Sequence, residues 1–256
     1  MFKRIISFIF NALGYSITKS TPPQLLITLL NNLRPTKTSL IRFGSLGDGG
    51  YLIPNDLEGI NFLISPGISD VSDFEKDCLL KNIEVFMYDA SIEQPNLPLN
   101  NKAHFFKKYL KNYDYSTDNI SMNSIFKNLK LEGDGILQMD IENFEYEVLL
   151  GTDIEFIKRF RIIVIEFHSF HELFTNSFYS IASCLFYKLL ESHTVVHFHP
   201  NYGCGRRSNG KITLPRACEI TFLRSDRIAE KELCGFNTHA LDHIPDNYKI
   251  SDFLRY

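Results

Sequence analysis

No apolar run in the 256-residue sequence reaches the roughly 18 residues that suggest a membrane span. Five cysteines (Cys78, Cys184, Cys204, Cys218 and Cys234) are scattered, odd in number and contain no CxxC. That excludes a disulfide framework or a zinc knuckle and fits a reducing compartment. Neither sign of charge dominates, because 27 Lys and Arg stand against 30 Asp and Glu. A nucleic-acid partner would require a basic stripe, and the most basic cluster here is Arg206-Arg207 with Lys211. There is no GxGxxG, so NAD or FAD is a poor fit. Internal repeats and low-complexity linkers are also missing, which reads as one main domain. What remains is ordinary folded-protein composition, 44% hydrophobic and 22% charged, enough for a sizeable core.

The richest stretch is residues 135–147, GILQMDIENFEYE, an apolar strand running into acid. Asp140 and Glu142 stand two apart, so on a continuing strand both carboxylates leave one face. Burying unpaired charge is costly, but at the carboxyl end of a parallel strand acids line the crevice where open α/β sheets bind ligands. A helix over 143–150 follows. Residues 161–167 (RIIVIEF) repeat the pattern, with Glu166 and His168 sharing a face at the strand end.

Upstream, residues 61–65 (NFLIS) form a buried strand that breaks at Pro66-Gly67-Ile68-Ser69, and a helix opens at Asp73. This strand, glycine turn and helix is a nucleotide-binding arrangement. Residues 83–88 are the second strand, and Asp89 at its end lies about twenty residues past the glycine turn, where ribose hydroxyls are gripped. Residues 103–110 read as a third strand, and 121–129 as a helix with Ser121 as N-cap. Residues 177–192 read as an amphipathic helix, 194–199 as a strand carrying His197 and His199 on one side, 201–210 as a glycine-rich loop, and 218–223 as a last, antiparallel strand. The whole is a βαβ series with a hairpin-like end, hence α/β.

Residues 42–51 (RFGSLGDGGY) hold four glycines. They mark either a tight hairpin or a loop folded over a ligand, with Asp48 and Tyr51 giving polar contacts. At the N-terminus, Phe2, Ile5, Ile6, Ile9 and Leu13 fall at helical spacing. An amphipathic helix there docks on its own domain, on a second subunit or on a membrane surface. A second helix covers 22–33, before Pro35.

The stretches RFGSLGDGGYLIP, FLISPGISDVSDFE, VFMYDAS, LQMDIENFEYEVL, IEFHSF, HFHPNYG, LPRACEITFLR and ALDHIPDN resemble the FkbM-type S-adenosylmethionine-dependent methyltransferases. The likeness runs from Arg42 to the C-terminus and divides the chain into an N-terminal extension, 1–40, and a methyltransferase domain, 41–256. It departs at Gln138, where the family shows lysine, and at Asn143 and Phe144, where it shows glycine and alanine. The resemblance implies a Rossmann-like, seven-stranded class I methyltransferase sheet with helices on both faces, and O-methylation, often of sugars or polyketide hydroxyls. It implies that Gly67 and Ser69 lie beneath the methionine part of S-adenosylmethionine, that Asp89 holds the ribose, and that Asp140 faces the sulfonium and the substrate. The glycine loop with Asp48 and Tyr51 would cap the cofactor.

A hydroxyl acceptor needs a base within hydrogen-bond reach. His168 is the first candidate, then Asp140, then His199. Glu142, Glu166 and Arg216 are candidate substrate contacts. Asp140, Glu166 and His168, with Glu142, also make a hard-metal set, so a divalent ion is an alternative source of hydroxyl acidity. The expected substrate is a sugar or nucleotide-sugar precursor of a surface polysaccharide, with no nucleic acid partner. The protein is expected in the cytoplasm or peripherally at the inner membrane, and a homo-oligomer would form through the N-terminal helix. A nicotinamide oxidoreductase and a non-catalytic binding module are the competing readings.

Overall fold

The structure, a computed structural model, describes residues 8, 10, 12–14, 17–47, 49–245 and 248–256. The helix expected over residues 2–13 lies largely outside them, as does Asp48. Seven strands form the central sheet in the order β10-β13-β9-β8-β3-β4-β5. These are β3 (Ile60–Pro66), β4 (Glu84–Tyr88), β5 (Ala103–Phe106), β8 (Asp134–Met139), β9 (Phe160–Phe167), β10 (His193–Pro200) and β13 (Cys218–Arg224). Strand β13 runs antiparallel to both neighbours, whereas β9, β8, β3, β4 and β5 pair in parallel. The mixed, mostly parallel sheet with helices is consistent with a methyltransferase fold.

Side-chain alternation sorts the core into two layers. Leu137, Met139, Ile163, Ile165, Phe167 and Ile220 face one side, where α1 (Pro23–Asn32), α3 (Met122–Leu129), α4 (Glu145–Gly151) and α5 (Asn176–Leu190) cover them. Helix α1 starts on Pro23, which lacks the N–H that a first-turn residue leaves unpaired anyway. Its Leu26, Leu29 and Leu30 are buried in this layer, each contributing roughly 2 kcal/mol. Residues before position 40 therefore share the core of the sheet. Helix α3 has the expected cap, with the Ser121 hydroxyl accepting from the Ser124 N–H. Ile136, Ile162 and Val164 face the other side, covered by helix α2 (Asp73–Leu80) and by the antiparallel hairpin of β1 (Leu40–Phe43) and β2 (Tyr51–Pro54). Among the described residues no helix is long and apolar enough to cross a membrane.

Four expectations change in detail. The glycine stretch at 42–51 is the hairpin alternative: the Arg42 guanidinium donates to the carbonyls of Ser45 (2.8 Å) and Leu46 (2.7 Å). A Cβ on Gly50 would sit 1.8 Å from the Ser45 carbonyl oxygen, so the glycine lets this loop close on itself. The third strand ends at Phe106, and Tyr109–Lys111 (β6) pairs instead with Asn119–Ser121 (β7). The stretch 201–210 is not a loop throughout, because Arg206–Asn209 (β11) pairs with Ile212–Pro215 (β12). Strand β8 stops at Met139, so Asp140 and Glu142 do not share a strand face; Glu142 takes φ 52° in a turn.

Strands β3, β4 and β8 end side by side on Pro66, Tyr88 and Met139, while β9, whose Ile165 pairs with Met139, runs two residues further to Phe167. Gly67, Asp89, Asp140 and His168 therefore emerge along one sheet edge. Gly67 has φ 82°, and a Cβ there would lie 1.6 Å from the Asp140 carbonyl oxygen. The glycine is needed for the two turns to touch, since Asp140 N–H also donates to the Pro66 carbonyl at 3.2 Å. Gly67→Ala should destabilise the fold by about 2–4 kcal/mol, from a positive φ and an overpacked backbone contact. Denaturant midpoints of the two proteins check this.

Candidate active site

The turn between β8 and α4 is built around one buried acid. Glu142 and Asn143 both have positive φ, 52° and 76°. Asparagine tolerates this left-handed region better than most residues, so it supplies the conformation for which the resembling family uses glycine. Glu145, the first residue of α4, reaches back, and its Oε1 accepts from the N–H groups of Ile141 (3.3 Å) and Asn143 (3.2 Å). The same oxygen lies 3.0 Å from His168 Nδ1. Glu145 is 0% exposed, so its carboxylate is buried in the turn and is not part of a solvated helix face. Acids in the first turn of a helix are a pattern visible in sequence, because the helix dipole favours negative charge there, but the contact of Glu145 with His168 is not.

Around His168 the structure gathers Asp140, Glu142 and Glu166 with Glu145. The imidazole Nε2 stands 3.3 Å from Glu142 and 3.9 Å from both Asp140 and Glu166. One imidazole thus faces four carboxylates. Burial first, then the Glu166 charge, raises the Asp140 carboxyl well above the usual carboxylate range. Burial works against a charged His168, but the Glu145 hydrogen bond and the surrounding acids outweigh it and raise the imidazole. The cluster thus holds more carboxyl groups than its one imidazole can pair, and Asp140 Oδ1 is buried without a hydrogen bond.

The acids continue across the sheet as a row. Glu166 pairs in register with Glu219, and Glu219 with His199. Asn201 Nδ2 donates to Glu166 at 2.7 Å, and burial followed by Glu166 pushes the Glu219 carboxyl well up. A cavity of about 430 Å³ opens at the Asp140 end, lined by Gly67, Ser69, Asp89, Asp140 and Phe144 among others. Asp89 is fixed in its wall: Oδ2 accepts the Ser69 N–H (3.1 Å), while Oδ1 accepts the Ser91 N–H (2.7 Å) and hydroxyl (2.6 Å). One lone pair of Oδ2 stays available.

A cavity of about 360 Å³ lies at the other end of the row, lined by His197, His199, Asn201, Glu219 and Asp242 among others. His199 thus stands with His197 and Asp242, not with His168. Asp242, carried by the ALDHIPDN stretch, was not singled out from sequence because its partners lie more than forty residues upstream. Arg216 is exposed and is not among the residues lining either cavity.

Tyr51 is buried, with its hydroxyl 3.3 Å from Gln138 Nε2 and its ring edge-on to Phe74. It walls a 60 Å³ void beside Gly67 and Asp140 rather than capping the large cavity. Behind it, Ser65 Oγ is hydrogen-bonded to Gln138 Oε1 (2.7 Å) and to Glu75 Oε1. A serine has one proton for these two acceptors, so one of them must donate. Burial raises the Glu75 carboxyl to about 7, and its protonated form completes the chain.

His168 and Asp140 bind protons more tightly folded than unfolded. The stability they contribute is full below their ordinary values and is lost as pH rises through the raised ones. The thermal midpoint of the protein alone should fall from pH 6.5 to pH 9, and less steeply in His168→Gln. NMR titration of the imidazole should show Glu145→Gln weakening its proton affinity roughly tenfold.

No curated protein matches the chain. Residues 82–193, from just before β4 to the first residue of β10, match the family model described as the methyltransferase FkbM domain. That interval holds Asp89, Asp140, Glu142, Glu145, Glu166 and His168. The resemblance is borne out there by the match of residues 82–193 to the methyltransferase FkbM domain, which supports a methyltransferase.

Proposed function

We propose that the protein is an S-adenosylmethionine-dependent O-methyltransferase acting on a sugar hydroxyl, in a precursor of a surface polysaccharide. The observation that carries this reading is the surplus of carboxylate around Asp140 at the mouth of the 430 Å³ cavity. A row of acids outnumbering its one imidazole favours a cationic guest, and the cofactor carries a sulfonium and an ammonium. Asp89, at the same cavity, has an oxygen lone pair suited to a ribose hydroxyl. The residues fit the group. When bound, it supplies an electrophilic methyl.

The chain's own residues then have distinct tasks. Asp140 and Glu166 offset the positive charge from one side. Glu145 holds His168 by Nδ1, so a neutral imidazole presents Nε2 as a proton acceptor. The 360 Å³ cavity, lined by imidazole, amide and carboxylate groups, suits a hydroxyl-rich acceptor, and the acid row joins it to the cofactor side. Holding acceptor oxygen and methyl carbon together is a large part of the rate enhancement. Because the carboxylates raise its proton affinity, His168 becomes a base only as pH rises or as cofactor charge offsets the acids.

Calorimetric titration with S-adenosylhomocysteine should show binding to the intact protein and at least tenfold weaker binding to Asp89→Ala; no heat with the intact protein would end this reading. With a sugar acceptor, kcat/KM should rise with pH through an inflection above the ordinary histidine range. His168→Gln should lower turnover by about 10²–10⁴-fold and remove that inflection. Unchanged turnover would transfer the base role to Asp140.

A further inference from the structure

We propose that His197, His199 and Asp242 form a site for a divalent transition-metal ion of the zinc type, in the wall of the 360 Å³ cavity. One donor atom from each of the three side chains lies within 4.8 Å of the others. Asp242 Oδ1 stands 2.9 Å from His197 Nε2 and 3.5 Å from His199 Nδ1. Donors each about 2.0–2.1 Å from a tetrahedral zinc stand about 3.3 Å apart, so the spacing brackets what one ion requires. Both ring nitrogens are buried, and neither has hydrogen-bond geometry to a partner. They converge on one carboxylate oxygen instead of being satisfied singly, and unsatisfied buried donors or acceptors are costly.

The backbone around the cluster is arranged for this convergence. Register in the β10–β13 ladder shifts between Val195 and His197, and the irregularity turns His197 and His199 together onto the face of Thr221 and Glu219. Two histidines two apart on a strand then point the same way. Asp242 arrives from the segment after β13, and its other oxygen, Oδ2, accepts the His239 N–H at 2.7 Å. That contact orients Oδ1 toward the imidazoles, as outer hydrogen bonds orient metal-binding carboxylates. Two imidazoles and one carboxylate are a borderline donor set that favours zinc, iron or cobalt over magnesium or calcium. Three protein donors leave coordination positions open toward the cavity. On the methyl-transfer reading, on which this last step rests, those positions take oxygens of the acceptor, and a bound hydroxyl there is more acidic.

The test is calorimetric titration of chelator-treated, full-length protein with Zn²⁺, repeated on Asp242→Asn, His199→Gln and His168→Gln, each with its fold checked by circular dichroism. The intact protein should bind an equivalent of zinc that Asp242→Asn and His199→Gln each bind at least about a hundredfold more weakly and that His168→Gln keeps. Absence of zinc binding to the intact protein would show an ordinary histidine–aspartate ion pair and overturn the proposal. So would undiminished binding in either of the first two variants, or loss of the same equivalent in His168→Gln. S-adenosylhomocysteine binding, measured on the same samples, separates a failure here from a failure of the cofactor reading.

Discussion

The organisation of this protein depends on negative charge held at the carboxyl edge of a sheet. Asp140, Glu166 and Glu219 occupy consecutive places in one cross-strand row, with His199 at its far end. Such a row is costly in a dry core, and a helix layer packed over it would make it more so. Helix α2 packs elsewhere on that face, and over β9 and β13 the covering element is the β1–β2 hairpin, whose Leu52 carbonyl accepts the Thr221 hydroxyl at 2.8 Å. The hairpin seals the apolar part of the face and leaves cavities at both ends of the row, so the element that covers the sheet also shapes the site.

The same charge explains the tightness of the β8–α4 turn. Four carboxylates would push an unsupported loop apart. Backbone N–H donors fix Glu145, Glu145 fixes His168, and the imidazole in turn approaches three further acids. Positive φ at Glu142 and Asn143 is the conformational cost of placing those N–H groups on one oxygen. Gly67 belongs to this assembly, because its missing Cβ is where the Asp140 backbone passes. A glycine read as a place for ligand approach thus serves first the contact between two turns.

Much of this was legible before any coordinates. Apolar runs of buried-strand length located the sheet strands, since residues buried on both faces lose their alternation. Strand ends marked Asp89, Asp140 and His168, because parallel strands deliver the residues that follow them to one edge. Other stretches read more than one way for physical reasons. Residues 103–110 look continuous as a strand, yet the sheet uses only their first half. The glycines at 44–50 resemble a ligand loop because a loop folding on itself needs the same freedom as one folding on a cofactor.

By itself the sequence determined the periodicities, the places where strands give way to turns, and the residue types waiting there. Only the tertiary structure decided which acids meet. Glu145 faces His168 because β8 and β9 are neighbours, and Asp242 meets His197 and His199 because the segment after β13 returns across β10. The physical reason is that side-chain alternation is a local property of a few consecutive residues. The order of strands in a sheet is set by how the whole chain buries its apolar surface, and proximity between distant residues follows from that order.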